Sequence, residues 1–387
     1  MKIDMRNALI LSFALTAIAL NSCTMTHQSK IVSSEEKRQV RISQSPNFKD
    51  GKFINEEPLD KMTAGSIWRM VKDMVNGGHP LREPKTPLPM WDKEWTDFPD
   101  EGLWFSWLGH SSVFIKLEGT KILIDPVFGK RASFTDLAGP KRMHPVPVKV
   151  EELPGADVIV ISHDHYDHLD KGTVRKLSQK TGLFLVPLGV GKRLEKWGIP
   201  TEKIKELDWW ETETVKGTEF TLTPGRHTSG RGLTDAGETL WGGWAIKKGE
   251  RNLYYSGDTG YYENGFREIG ERLGPFDLSL MQVGAYDKNW PSWHMFPEEA
   301  VKAQKLVKST EMVPLHWATF NLAFHSWYDP ALRLKKAMDS ASLNVVFPML
   351  GEPVEMDSLR IRDRSKPWWQ TFVPEEEATD LESQAHL

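Results

Sequence analysis

The sequence holds a single cysteine, Cys23, among 387 residues. One thiol excludes an internal disulfide framework and every Cys-rich zinc motif, so any metal must be held mainly by nitrogen and oxygen. No apolar run is long enough to cross a bilayer comfortably. The longest, Ala8–Leu20, is short and interrupted by Ser12 and Thr16. Excess positive charge is missing too. Lys and Arg total 49 against 53 Asp and Glu, a formal net charge of -4. That balance offers no basic footprint for nucleic acid, and no nucleic-acid partner is expected. Internal repeats are absent as well.

Apolar side chains make up 39% of the sequence and include 17 Phe and 16 Trp, enough to build a large core. Lys2 and Arg6 precede the apolar run, and "LNSC" ends it at Cys23. These flanks read as a secretory signal. They resemble a bacterial lipoprotein leader, which implies cleavage of residues 1–22 and a lipid anchor on Cys23. The protein would then sit on a membrane of the cell envelope, the outer membrane or its periplasmic face where the source has two.

Residues 23–100 read as a tether and N-terminal extension. Thr24 to Lys49 are polar and weakly patterned. Ile67, Met70, Val71, Met74 and Val75 recur at helical spacing, and Gly77 ends that helix. A Pro-rich connector follows. A regular domain is expected over 101–356 and an extension with an acidic tail over 357–387. Leu103 to Phe128 reads as three strands with a turn at Glu118-Gly119. Strands are expected at Val158–Ile161, Leu183–Val186, Phe220–Thr223, Leu240–Ile246, Asn252–Ser256 and Leu278–Gln282. Helices are expected at Asp170–Gln179, Val190–Trp197 and Pro297–Val307, the last with Pro in its first turn. Strands alternating with helices indicate a layered α/β domain.

The stretch "VIVISHDHYDHLD" carries the chemistry. A buried strand ends at Ser162, and His163, Asp164, His165, Asp167 and His168 follow at once. A solvated turn suits one His-Asp pair. Three crowded imidazoles repel when protonated, whereas neutral imidazole and carboxylate are zinc ligands. Two metals need six or seven ligands. His227, Asp258 and His316 each follow a strand and supply the rest.

The order H-x-H-x-D-H, then His227, then "SGDT", then His316 resembles the metallo-β-lactamase fold hydrolases, whose fold is an αββα sandwich. "GKFIN", "WLGHSSVFIKLEGTKILIDPVF", "TSGRGLTDAGETLWGGWAI", "WHMFPEEAV" and "VPLHWATF" narrow the resemblance to the N-acylphosphatidylethanolamine-hydrolysing phospholipase D family. The resemblance implies two zinc ions, with iron and manganese also accepting the set. His163, His165 and His227 would hold one ion, and Asp167, His168 and His316 the other. Asp258 would bridge them. Asp125 would orient the histidine loop from beneath. His294 would sit near the substrate phosphate, with Asp167 and His294 as the catalytic pair. The reaction implied is hydrolysis of a phospholipid phosphodiester to phosphatidate and N-acylethanolamine. Same-fold alternatives are a lactonase or sugar-phosphate hydrolase. A non-catalytic zinc-binding surface lipoprotein is the alternative of another class. Oligomeric state is left open.

Overall fold

The computed structural model describes residues 33–91, 98–360 and 367–374. Cys23, the leader and the acidic tail lie outside the described residues. The chain divides into two compact units, Met1–Val40 and Arg41–Leu387. In the first, Ser33 and Glu36 form a capping box. The Glu36 N–H donates to Ser33 Oγ at 3.1 Å, and the Ser33 N–H donates to Glu36 at 2.9 Å. They start helix α1 (Ser34–Gln44) inside the stretch expected to be a tether. Among the described residues, no helix is long and apolar enough to cross a membrane.

A small hairpin, β1 (Phe48–Lys49) and β2 (Lys52–Phe53), precedes α2 (Ala64–Val75). The α2 cap is Thr63, whose hydroxyl accepts the Ser66 N–H. Gly77 and Gly78, both at positive φ, follow its end. The first layer then runs through β3 (Leu103–Gly109), β4 (Ser112–Leu117), β5 (Thr120–Ile124), β6 (Ala156–Val160), α3 (Lys171–Leu177), β7 (Thr181–Pro187), α4 (Val190–Lys196) and β8 (Ile204–Leu207). The second runs through β9 (Thr212–Val215), β10 (Thr218–Thr223), β11 (Gly243–Lys248), β12 (Arg251–Tyr255), α5 (Glu263–Arg272), β13 (Phe276–Gln282), α6 (Pro297–Val307), β14 (Ser309–Leu315), α7 (Asp329–Ala341) and β15 (Asn344–Val345). Strand β16 (Val354–Glu355) returns to the first layer. The sheet orders are β16-β3-β4-β5-β6-β7-β8 and β15-β14-β13-β12-β11-β10-β9.

Side-chain alternation along the strands builds the layers. Val113, Ile115, Ile122, Ile124, Val158, Val160 and Leu185 join the core shared with the second sheet. Their neighbours Phe114, Leu123, Ile159, Phe184 and Val186 face the other way, onto Val174 and Leu177 of α3 and Val190 and Leu194 of α4. The period of two sends alternate residues to opposite faces. Helices α5 to α7 bury Phe266, Ala300 and Leu334 against the second sheet. The result is the αββα sandwich expected from the sequence.

Most expected strand boundaries shift by one or two residues, and the strand expected from Leu240 starts later for a physical reason. Leu240 and Trp241 precede the strand, which begins at Gly243. A Cβ on Gly242 would lie 2.3 Å from the Thr223 carbonyl, and one on Gly243 would lie 2.4 Å from that of Tyr255. Glycine lets the chain pass between β10 and β12 before pairing starts. Strands β5 to β8 are mutually parallel, as are β12 to β15. Their carboxyl ends therefore collect on one edge, where ligand-binding loops of such sheets gather.

Ile159 is fully buried between β6 and the α3–α4 layer, directly before the histidine loop. Ile159→Ala should destabilise the metal-free protein by about 2–5 kcal/mol. Urea unfolding checks this: a midpoint equal to wild type would show that the layer does not depend on this contact.

Candidate metal centre

Asp125 follows β5 and is fully buried. Its Oδ1 accepts the Ser162 N–H at 2.7 Å. Its Oδ2 accepts His168 Nδ1 at 2.7 Å, Tyr255 Oη at 2.6 Å and the Ser162 hydroxyl. Because Ser162 Oγ spends its proton on Asp125, it accepts from His163 Nδ1 at 2.9 Å. His227 donates its Nδ1–H to the Trp293 carbonyl at 3.1 Å. Three imidazoles therefore have Nδ1 committed outward and Nε2 turned inward, the arrangement that fixes a ligand's tautomer.

The inward atoms converge. His163 Nε2 lies 2.8 Å from His165 Nδ1, which lies 3.3 Å from His227 Nε2. Nearby, Asp258 Oδ2 lies 3.1 Å from His168 Nε2 and 3.0 Å from His316 Nε2. Asp167 Oδ2 lies 3.6 and 3.3 Å from the same two nitrogens. His168 Nε2, His316 Nε2 and Asp258 Oδ1 are buried without a hydrogen-bond partner. Orphaned ligand atoms at these separations fit metal ions. His163, His165 and His227 form one group, and Asp167, His168 and His316 another. Asp258 clusters with His163 and His168, and again with His227 and His294, so it stands between the two groups.

Charge follows geometry. Burial and neighbouring imidazoles hold His163 well below the usual histidine range, and burial does the same for His227. Burial pushes Asp167 and Asp258 up, but the surrounding imidazoles outweigh it and keep both ionised. Burial lowers His168 and His316, yet the two carboxylates win. His316 rises to about 8, and His168 rises well above its usual value. Protons on these two rings balance the carboxylates, and binding a divalent ion releases them.

Each sequence-expected residue reaches this edge. Asp125 lies beneath the loop, and His294 places Nε2 3.2 Å from Asp258 Oδ2. Three supporting groups were not anticipated. Asn55, from "GKFIN", holds His227 through both backbone groups, at 2.7 and 2.9 Å. Asp164 joins none of the ligand groups and accepts Gly230 N–H at 2.7 Å and Arg193 Nε at 2.5 Å. His110 donates Nε2–H to Asp167 Oδ2 at 2.9 Å and shares the group of Asp167, His168 and His316. It too directly follows an apolar strand, the pattern that marked the other ligands, but it stands outside the H-x-H-x-D-H cluster. His110, Asp125 and His316 have φ of 53°, 35° and 68°. Such backbone strain in non-glycine residues concentrates at functional sites.

Asp258→Ala removes the group between the clusters, so metal should bind more weakly and turnover should fall with metal content. Asp125→Asn should keep metal at about 10–100-fold lower affinity. Elemental analysis with chelator competition checks both; wild-type metal content and rate in Asp258→Ala would remove Asp258 from the ligand set.

The model of the beta-lactamase superfamily domain matches residues 120–317. N-acyl-phosphatidylethanolamine-hydrolyzing phospholipase D 1 of Caenorhabditis elegans is 41% identical over 266 residues, 65% of this chain and 75% of that protein. An uncharacterized protein of Mycobacterium tuberculosis is 40% identical over 337 residues, 84% of this chain and 88% of that one. Among solved structures, Igni18, a metallo hydrolase of Ignicoccus hospitalis, aligns with a TM-score of 0.50 at 24% identity. It covers 65% of this chain and 97% of its own. That last likeness speaks for the fold alone. The chain belongs to the beta-lactamase superfamily, in the branch that includes the N-acylphosphatidylethanolamine-hydrolysing phospholipases D.

Proposed function

We propose that this metal-dependent hydrolase is a dinuclear phosphodiesterase of phospholipase D type. It cuts N-acylphosphatidylethanolamine-like lipids into phosphatidate and N-acylethanolamine. The observation that carries this reading is a cavity of about 330 Å³ lined by two unlike sets of side chains. One is the ligand set, including His165, Asp167, Asp258 and His316. The other is Met62, Met70, Trp290, Trp293 and Leu322. A polar reacting group beside apolar side chains suits an amphiphile. Two relatives bear the phospholipase D name, one from Caenorhabditis elegans and one from Saccharomyces cerevisiae.

Divalent ions held by this set, zinc being the favoured identity, would supply Lewis-acid neutralisation of a phosphodiester and lower the pKa of water. The chain's own groups do the rest. Asp167 and Asp258 concentrate negative charge where the ions belong. Asp125 and Ser162 hold His163 and His168 in the ligating tautomer. His294 projects into the cavity beside Asp258, placed to contact the phosphate or donate a proton to the departing alkoxide.

Helix α2 supports a lipid surface as the place of work. Its Met70 lines the cavity, while Ile67, Trp68, Val71, Met74 and Val75 are exposed. Val75 is 80% exposed and Trp68 66%, unusual for such side chains clustered on one short helix. A lipid anchor on Cys23 would hold the same enzyme to the envelope membrane.

Hydrolysis in ¹⁸O-water should place label in phosphatidate and none in N-acylethanolamine. Label in a carboxylate would instead mark an acyl hydrolase or lactonase. His294→Asn should keep both ions while the rate falls about 10²–10⁴-fold, with less loss on a phenolate-leaving substrate if His294 is the acid. In unlipidated protein carrying Cys23→Ser, combined Trp68→Glu and Met74→Glu should abolish binding to phospholipid vesicles yet spare a short-chain soluble substrate. Unchanged vesicle binding would assign the lipid surface elsewhere.

A further inference from the structure

We propose that His110 is a positioning residue for one of the two ions, donating its Nε2–H to Asp167 and thereby setting how that carboxylate faces the metal. The inference rests on the metal-dependent reading above. His110 sits at the turn between β3 and β4 and is wholly buried. Its Nε2 lies 2.9 Å from Asp167 Oδ2, the oxygen that also lies 3.3 Å from His316 Nε2 and 3.6 Å from His168 Nε2. The contact therefore falls on the oxygen that faces the other ligand atoms.

The chemistry of the contact separates a donor from a further ligand. An ionised carboxylate only accepts, so Nε2 must carry the proton for a 2.9 Å approach to be favourable. A protonated ring nitrogen offers no lone pair to a cation. The His110 Nδ1 atom is buried with no hydrogen-bond partner, so nothing in the structure draws the proton to that side. His316 also lacks an Nδ1 partner. Its Nε2, however, reaches both carboxylates, at 3.3 Å from Asp167 and 3.0 Å from Asp258, whereas His110 contacts Asp167 alone.

The ring cannot swing away from this role. The His110 N–H donates to Thr319 Oγ1 at 2.7 Å, and its carbonyl accepts Trp107 Nε1 at 2.8 Å and the His316 N–H at 3.1 Å. The imidazole packs 3.9 Å from the His316 ring and edge-on to Phe320 at 5.1 Å. A residue of the first sheet thus steadies a carboxylate of the β6 loop and the backbone of a ligand that follows β14 in the second.

The test uses full-length protein loaded with cobalt(II). His110→Asn suits the left-handed backbone, because asparagine visits that region readily, but its amide is too short to reach Asp167. His110→Gln carries an amide nitrogen to about the position of Nε2. Wild type should bind two ions. His110→Asn should weaken one ion about 10–100-fold in chelator competition, leave the other unchanged and alter the cobalt d–d bands. His110→Gln should restore most of the affinity. Thermal unfolding of the metal-free variants certifies the fold, and His110→Gly, which suits the positive φ and leaves Asp167 without this donor, takes the place of His110→Asn if that variant does not fold. Unaltered affinities and spectrum in His110→Asn would overturn the proposal. Complete loss of one ion in both variants would overturn it too, by making His110 a ligand. Wild type binding no metal would sink the metal-dependent reading itself, an outcome distinct from either.

Discussion

The Asp125 carboxylate ties the ligand set together, because a buried charge persists only where its lone pairs are filled. It takes Ser162 and His168 from the loop after β6 in the first sheet and Tyr255 from β12 in the second. Burial and the adjacent negative charge push the Tyr255 phenol up, so it stays a donor. Through Ser162 the same carboxylate reaches His163. One acid at a strand end therefore sets the ring orientation of two imidazoles, one in each ligand group, and pins the two sheets together at the edge where they matter.

Around that anchor the loop is held from its outer side as well. Asp164 receives Arg193 and the Gly230 N–H, while Arg231 Nη1 donates to the carbonyls of Asp164 and Leu169 at 2.7 Å. The Arg231 guanidinium lies 3.9 Å from the Tyr166 ring. Asp235 accepts from Arg193 and from the Arg231 backbone. The segment carrying His227 and the segment carrying His163 to His168 are thus one unit. Positive φ at His110, Asp125 and His316 is sustained because every one of these residues is locked by backbone hydrogen bonds on rigid strands.

Apolar surface is distributed as unevenly as charge. The inner faces of both sheets are closed, with Trp107, Trp244, Phe220 and Tyr254 nearly or fully buried. Helix α2 goes the other way and leaves its apolar stripe uncovered, with Met70 turned toward the cavity. The same amphipathic pattern that elsewhere buries a helix against a sheet is here spent on a surface beside the reacting groups.

Much of this architecture is written locally. Alternation over Val158–Ile161 and over β3 to β5 specifies strands, Pro297 opens α6, and H-x-H-x-D-H cannot be spread out because six consecutive residues carry it. These features were legible because their physics spans a few neighbours: side-chain period, caps, and the crowding of imidazoles. The capping box at Ser33 and Glu36 was equally local and was passed over amid a polar stretch. What the sequence could not display were contacts between distant positions. His110 meets Asp167 across 57 residues and Thr319 across 209, and Asn55 meets His227 across 172. The strand order that brings the carboxyl ends of two sheets to one edge decided those meetings, along with the inward turn of Nε2 in His163, His168 and His227 and the exposure of α2. Residue type and spacing made a metal-binding loop; only the tertiary structure supplied the partners that set the tautomers of His163, His168 and His227 and closed the cluster.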